Sequence, residues 1–382
     1  MIRYRLALCV VYSAATLAFG QTPARNTLPG SVSGHVFCAD TNLPCRYAGV
    51  LLQPISRFSG NQAKPSSEET GKGISGSTGL DGSFLIENIA PGNYLVMGEL
   101  PGYLSPISIF PPDELKTDSE EVRKKLASLL PSVTVVSGQV ASVEVRLERG
   151  AVIGGEVRYD DGSPGINLGV RLFRKDKQGS WKPAFAESTG PLHFLDVFRF
   201  TDDRGRYRLM GLPAGEYAVE ASLPQYTITP GSVFGATANV NLHEEGALKV
   251  YTPGVSRLHE AKGVIVAEGG ERSDADIIIP LTGLHVLRGV VSSKADGHAL
   301  SAGKVDLLDP DDRSVLRTVK VHADGTFGFD NVSEGSYLSR VYECADKEGD
   351  KTIRAYEESE MKLTVVADSS NVNFSLSPKK AK

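Results

Sequence analysis

One turn-and-return motif occurs three times in this chain of 382 residues and sets its period. The clearest copy, Leu80 to Val96, carries Gly82, Phe84, Gly92 and Tyr94. The second, Asp203 to Val219, carries Gly205, Tyr207, Gly215 and Tyr217, and the third, Ala323 to Leu338, carries Gly325, Phe327, Gly335 and Tyr337. The leading aromatic and the closing tyrosine stand ten positions apart in every copy. Such a fixed spacing marks a repeated supersecondary unit. Gly82, Gly205 and Gly325 permit a tight turn, after which the aromatic opens a strand of alternating residues. The chain then turns at Gly92, Gly215 or Gly335, and the tyrosine begins the returning strand. Tyrosines so placed specify packing at a core or its edge.

Each copy is framed by further strand signals. Val32-Ser33-Gly34-His35-Val36, Ile153-Gly154-Gly155-Glu156-Val157 and Leu287-Arg288-Gly289-Val290-Val291 open the units, and polar turns follow them. β-rich segments close them, as at Ala141 to Leu147, Asp274 to Leu281 and Val372 to Leu376. Seven or so short strands per copy predict an all-β chain of three tandem antiparallel β-sandwich modules. The expected modules are 28–148, 149–283 and 284–378, with a basic tail at 379–382. The joins near Arg149 and Gly283 carry no long Gly/Ser or Pro tract, which favours a semi-rigid arrangement.

Residues 1–20 read as a signal peptide: Arg3 and Arg5, an apolar core, and Ala18-Phe19-Gly20 before Gln21. The apolar stretch is shorter than the roughly 20 residues a spanning helix needs, so no transmembrane segment is expected after cleavage. Without Arg3 and Arg5 the chain has 39 basic against 46 acidic residues, which argues against nucleic acid as a partner. Cys38 and Cys45 flank a polar, turn-like stretch. They predict a disulfide, suited to an oxidising compartment, against the alternative of two buried thiols. Cys344 is expected to be unpaired.

The modules differ in their insertions. Ser56 to Gly79 reads as an exposed loop. Asp113 to Leu130 reads as a helix, near 113–130, with Leu115, Val122, Leu126, Leu129 and Leu130 as an apolar stripe over one sandwich face. Leu100-Pro101-Gly102-Tyr103 and Leu223-Pro224-Gln225-Tyr226 are expected to shape loops at one sandwich end. In the second module Trp181, Phe185 and Phe198 cluster with His193 and Phe194. Trp181, among Lys175, Lys177 and Lys182, can stack on a sugar or peptide, or these rings can fold the insertion onto its own module.

Catalytic signatures do not emerge. There is no zinc-binding His-Glu-x-x-His, no Gly-x-Ser-x-Gly turn and no phosphate-cradling loop, and no cofactor is expected. Asp160-Asp161-Gly162, Asp202-Asp203 and Asp309 to Asp312 read as Asp-rich turns with local side-chain-to-backbone bonds, not as a calcium loop.

These residues resemble the carboxypeptidase regulatory-like family of bacterial exported proteins, within the wider transthyretin-like and collagen-adhesin B-type sandwiches. The resemblance rests on Gly34-His35-Val36 and Gly155-Glu156-Val157, on the Asp-Gly-x-aromatic turn, on Pro91-Gly92-Asn93-Tyr94, and on Tyr251-Thr252-Pro253-Gly254. It implies architecture rather than chemistry. Some adhesin relatives crosslink a lysine in the opening strand; no opening strand here supplies an obvious one. The expectation is a noncatalytic exported structural or protein-interaction protein, periplasmic, outer-membrane-associated or secreted in a Gram-negative bacterium. Its partner would be another cell-envelope protein, a glycan or a peptide, and the alternative reading is a carbohydrate- or peptide-binding protein of the cell envelope.

Overall fold

A computed structural model describes residues 28–55, 74–110, 114, 119–184, 200–229, 239–349 and 351–379, with side chains left aside at 224–229 and 239–245. The expected leader, most of the first-module loop, the first turn of the expected helix and nearly all of the basic tail lie outside the described residues.

The first unit comprises β1 (Gly30–Cys38), β2 (Leu43–Pro44), β3 (Gly49–Pro54), β4 (Ile74–Ser77), β5 (Ser83–Ile89), β6 (Gly92–Glu99), β7 (Ser132–Val135) and β8 (Val140–Leu147). β1 lies between β5 and β8 in one sheet, and β4-β3-β6-β7 form the other. The second unit repeats the plan with β9 (Ala151–Tyr159), β10 (Gly169–Lys175), β11 (Trp181–Pro183), β12 (Arg206–Leu212), β13 (Gly215–Thr229), β14 (Asn239–Tyr251), β15 (Val264–Val266), β16 (Glu271–Arg272) and β17 (Ile277–Ile279). Here β12 and the closing strands flank β9, while β11-β10-β13 continue to both β14 and β15. The third has β18 (Leu284–Ser293), β19 (Ala302–Leu308), β20 (Val315–Lys320), β21 (Thr326–Ser333), β22 (Gly335–Glu348), β23 (Lys351–Ala355), β24 (Ser359–Val365) and β25 (Phe374–Leu376), paired as β21-β18-β25 and β20-β19-β22, with β23 and β24 on β22. One departure from an antiparallel sandwich recurs: the closing strand runs parallel to the opening one, as β8 does along β1 from Ser31↔Val140 to Cys38↔Leu147. It arrives from the opposite sheet, so no hairpin forces it to reverse.

Each unit buries its own core. Val32, Val36, Leu52, Phe84, Ile89 and Val96 meet in the first; Ile153, Val157, Leu172, Tyr207, Tyr217 and Ile277 in the second; Val291, Leu307, Phe327, Phe329, Val341 and Phe374 in the third. Strand alternation supplies these groups. β1 turns Val32, Val36 and Cys38 inward, with exposure rising between them.

The repeated glycines and aromatics meet in register. Gly34 lies opposite Phe84, Gly155 opposite Tyr207 and Gly289 opposite Phe327. A methyl group on any of them would meet the facing ring or hydroxyl and would overlap a carbonyl oxygen in or just before the closing strand: Val143, Ala275 or Val372. In the second unit the Tyr207 hydroxyl donates to that Ala275 carbonyl. The turn glycines Gly82, Gly205 and Gly325 have φ of +76°, +76° and +79°, and their carbonyls accept the amide protons of Val36, Val157 and Val291 at 2.8–2.9 Å. The closing tyrosines repeat as well. Tyr94 donates to Ala90 O at 2.8 Å, Tyr217 to Pro213 O at 2.7 Å and Tyr337 to Ser333 O at 2.7 Å, each ring buried.

Cys38 and Cys45 are joined, closing a loop of sequence separation 7. The chain-entropy model values so short a loop at about 2–3 kcal/mol, comparable with burying one large aliphatic side chain. The bridge therefore fixes a corner of a module that already has a core. Cys344 is buried and unpaired within β22.

Three expectations need correction. The stretch 56–79 is not all exposed loop: Ile74–Ser77 is β4, paired antiparallel with β3, and Thr78 behind it is buried. The helix, α1, spans Glu120–Leu129, begins at Ser119 (whose hydroxyl accepts the Val122 amide at 3.3 Å), and buries no residue. Val122 and Leu126, with Leu130 at the C-cap, are half-buried while Leu129 is 50% exposed, so the described part of the expected stripe is only partly covered, and Leu115 lies outside the described residues. The cap falls at Ser119 because a hydroxyl followed by Glu120 and Glu121 satisfies first-turn amides. Leu223 to Tyr226 is not a loop but the middle of β13, paired with β14 as far as Thr229↔Asn239. The register shift between Leu223 and Gln225 accommodates Pro224, which cannot donate to a ladder.

Gly289→Ala should destabilise the third module by about 2–4 kcal/mol, since an added methyl in a packed core forces backbone displacement. Equilibrium urea unfolding followed by Tyr and Trp fluorescence would test this; a midpoint equal to wild type would contradict it.

Candidate functional site

Trp181 opens the short edge strand β11 and pairs across from Lys175. The ring is half-buried, and Lys175 Nζ stands 5.0 Å above it while contacting Glu216 Oε1 at 2.9 Å. The connecting turn is held by Asp176, whose carboxylate accepts the amides of Gln178 and Ser180. One ring face is thus occupied by a cation. Phe185 and Phe198, together with His193 and Phe194, lie outside the described residues, so no described aromatic of that cluster meets Trp181.

The Asp-rich turns carry local bonds. Asp161 accepts both the amide and hydroxyl of Ser163, Asp202 the amides of Arg204 and Arg206, and Asp312 the amide of Ser314. These bonds hold Asp161, Asp202 and Asp312 below the usual carboxylate range. Among the described residues no group of three or more His, Cys, Asp or Glu side chains is placed to hold a metal ion, and no helix is long and apolar enough to cross a membrane.

Polar arrangements that no motif marks lie at the joins between modules. Between the first and second, Gly150 donates its amide to Gly102 O at 3.0 Å. A methyl on Gly150 would overlap the backbone of Gly211, and one on Gly211 (φ +76°) would lie 2.9 Å from Tyr103 O. Arg149 spans the seam over the Tyr103 ring at 5.1 Å, and Tyr103 donates to Asp40 at 3.2 Å. Three bare backbones and one stacked guanidinium seal this joint.

Between the second and third, Arg257 binds the fully buried Asp309 at 2.7 Å, donates to Ser336 O at 2.6 Å and lies 5.0 Å from the Tyr337 ring centroid. His259 Nδ1 approaches the same carboxylate at 3.4 Å. Arg317, 8% exposed, donates to Asn331 O at 3.1 Å and, across the seam, to Gly246 O of β14. It also stacks on Phe329 at 5.6 Å. Burial pushes its pKa down to about 10, still fully charged at neutral pH.

A separate cluster closes the far end of the third module. His298 contacts Asp296 at 2.5 Å and Asp346 at 3.1 Å, and Tyr356 donates to Asp346 at 2.8 Å. The bond to Asp296, then that to Asp346, raises the His298 pKa above its ordinary 6.5. A raised histidine pKa adds stability that is complete below the unfolded value and is lost as pH rises through the folded one. An NMR titration of the His298 ring should therefore give a midpoint above 6.5, lowered in Asp296→Asn; a wild-type midpoint at or below 6.5 would refute the assignment.

No protein-family model and no curated protein matches this chain. Solved structures similar to it include the TIE protein of Bacillus anthracis, at 12% identity and TM-score 0.22 over 92% of this chain and 51% of that one. The chain thus spans about half the length of that protein. A streptococcal ancillary pilin shows 10% identity and TM-score 0.27 over 92% of this chain and 100% of its own. The major pilin subunit BcpA of Bacillus cereus shows 11% identity and TM-score 0.20 over the same shares.

Proposed function

We propose that this protein is a noncatalytic, exported structural or protein-interaction element, built from three carboxypeptidase regulatory-like modules of transthyretin-like type. Their boundaries fall near Arg149 and Gly283, and the protein works in the cell envelope of a Gram-negative bacterium or is secreted from it. One strand plan used three times, with the opening strand between the strand that follows the turn glycine and the parallel closing strand, supports the family reading. The observation that carries the functional reading is the pair of sealed joints. An ion pair ending on a carboxylate with no exposed surface, Arg257–Asp309, costs desolvation that a flexible tether would not incur. A chain that spends stability on fixing successive modules is suited to presenting surfaces at set positions.

Asp309→Ala should loosen the second joint while leaving each sandwich folded. Removing one partner of a buried pair typically costs about 3–5 kcal/mol, here drawn from the contact between modules and from the Asp311 amide that Asp309 Oδ1 accepts at 2.9 Å. Small-angle X-ray scattering should show a broader distance distribution for the variant, with unchanged far-ultraviolet circular dichroism. Identical scattering profiles would count against rigid joints as the basis of function.

The second reading, a carbohydrate- or peptide-binding protein using Trp181, draws on the half-exposed ring at a sheet edge, with Phe185 and Phe198 as further candidates. Glycan and peptide arrays probed with the mature protein and with Trp181→Ala separate the two. The structural reading expects no binding that depends on Trp181; reproducible binding lost in the folded variant would reverse the preference.

A further inference from the structure

A cleft of about 510 Å³ opens on the outer face of the third module, bounded by β18, β20 and β21 and by Gly246 of β14. That volume lies within the range of small-molecule sites, which favour seams between domains. Its floor includes Gly328, paired with Arg288. Gly328 is the residue after the leading aromatic, a place taken by Leu85 in the first copy and Arg208 in the second. Leu85 is 57% exposed, and Arg208 pairs with Glu271. Gly328 does not have a positive φ, so no turn requires it there. A glycine inside a strand weakens the strand and marks a place of close approach.

Over that bare backbone lies Arg288. Its guanidinium bonds the carbonyl oxygens of Leu287 and Phe329 at 3.1 and 3.2 Å and meets Asp330 Oδ1 at 2.6 Å. Thr326 and Ser370 add hydroxyls to the lining, and Val290 and Val319 add apolar surface. The cation and the carboxylate offset each other and His322 adds a ring nitrogen donor or acceptor to the lining, so the cleft presents no strong charge of one sign. A donor and an acceptor held side by side next to aliphatic surface match neighbouring hydroxyls on a sugar ring: one donates to the carboxylate, the next accepts from the guanidinium, and the C–H face packs on valine.

We propose that this cleft binds a neutral saccharide of one or two rings, at a site separate from Trp181. The test is saturation-transfer NMR on the full mature chain with galactose, N-acetylglucosamine, maltose and cellobiose, alongside glucuronate and a trialanine peptide. At least one neutral sugar should give transfer. Transfer should vanish in Gly328→Leu, weaken by about tenfold or more in Arg288→Gln, where a hydrogen-bonding partner is lost, and persist in Trp181→Ala. A Cβ at Gly328 would lie 2.7 Å from Arg288 Cδ and Nη1, so Gly328→Leu displaces the guanidinium as well as filling the cleft; Asp330→Asn keeps the shape, and transfer should weaken there too. Transfer from none of the neutral sugars, transfer that survives Gly328→Leu and Asp330→Asn, transfer lost with Trp181→Ala, or transfer confined to glucuronate or the peptide would overturn the proposal.

Discussion

The close approach of a glycine to an aromatic ring and a neighbouring carbonyl is the constraint on which each module rests. Gly34, Gly155 and Gly289 occupy the central strand of their sheet, with the ring of Phe84, Tyr207 or Phe327 across one edge and the carbonyl of Val143, Ala275 or Val372 beside the other. With no Cβ there, the ring can enter the core and the closing strand can come within pairing distance. The chemistry adapts without moving the geometry: where phenylalanine gives way to Tyr207, its buried hydroxyl takes the Ala275 carbonyl as acceptor, meeting the demand that a buried donor be satisfied. The turn glycine two residues before each ring closes the same corner from the other side, through its carbonyl bond to the opening strand.

Joining three such units raises a different physical problem, because sandwich ends carry unpaired backbone groups. The first joint meets it with glycines, letting main chains touch at Gly102, Gly150 and Gly211. The second meets it with arginines. Arg317 is buried, its two Nη atoms donate to carbonyl oxygens from both modules and its plane stacks on the Phe329 ring, while its Nε has no hydrogen-bond partner among the described residues. A guanidinium so placed is costly to desolvate, and the cost is offset only while Gly246 stays in position. The long β13–β14 hairpin brings Gly246 there, so an extension of the second module becomes part of the third module's polar accounting.

Local physics made much of the fold readable. Turn glycines, alternation and the ten-residue spacing act within a few residues, and Cys38 and Cys45 are close enough in sequence to advertise their meeting. One further repeat is equally local. Asn88, Gly211 and Asn331 share a left-handed backbone at φ of +59°, +76° and +55°, and each sits at or beside a shift in register with the opening strand. Asn-Ile, Gly-Leu and Asn-Val at matched places were the available signal, since Asn and Gly tolerate that conformation. The joints were not legible in the same way. Arg257 and Asp309 belong to different modules and stand in no periodic pattern, and nothing local distinguishes Arg317 from a solvated strand arginine. The candidate ring Trp181 was visible as a residue type, but only the fold reveals that Lys175 stands over it.

Inward positions are held by the glycine, ring and tyrosine geometry, so divergence among the copies falls on what faces outward. The position after the ring shows this most directly. It carries an exposed Leu85, an ion-paired Arg208 or a bare Gly328, on strands whose inward neighbours differ little. A side chain there contributes almost nothing to the core, so its loss in the third copy leaves the core unchanged, sacrifices strand propensity and lets Arg288 lie across the bare backbone. The fold gives the reason such a loss is tolerated: stability is set on the other face of the same strand, by Phe327 against Gly289. Separating the two faces in this way lets one architecture be repeated while its surfaces take on different work.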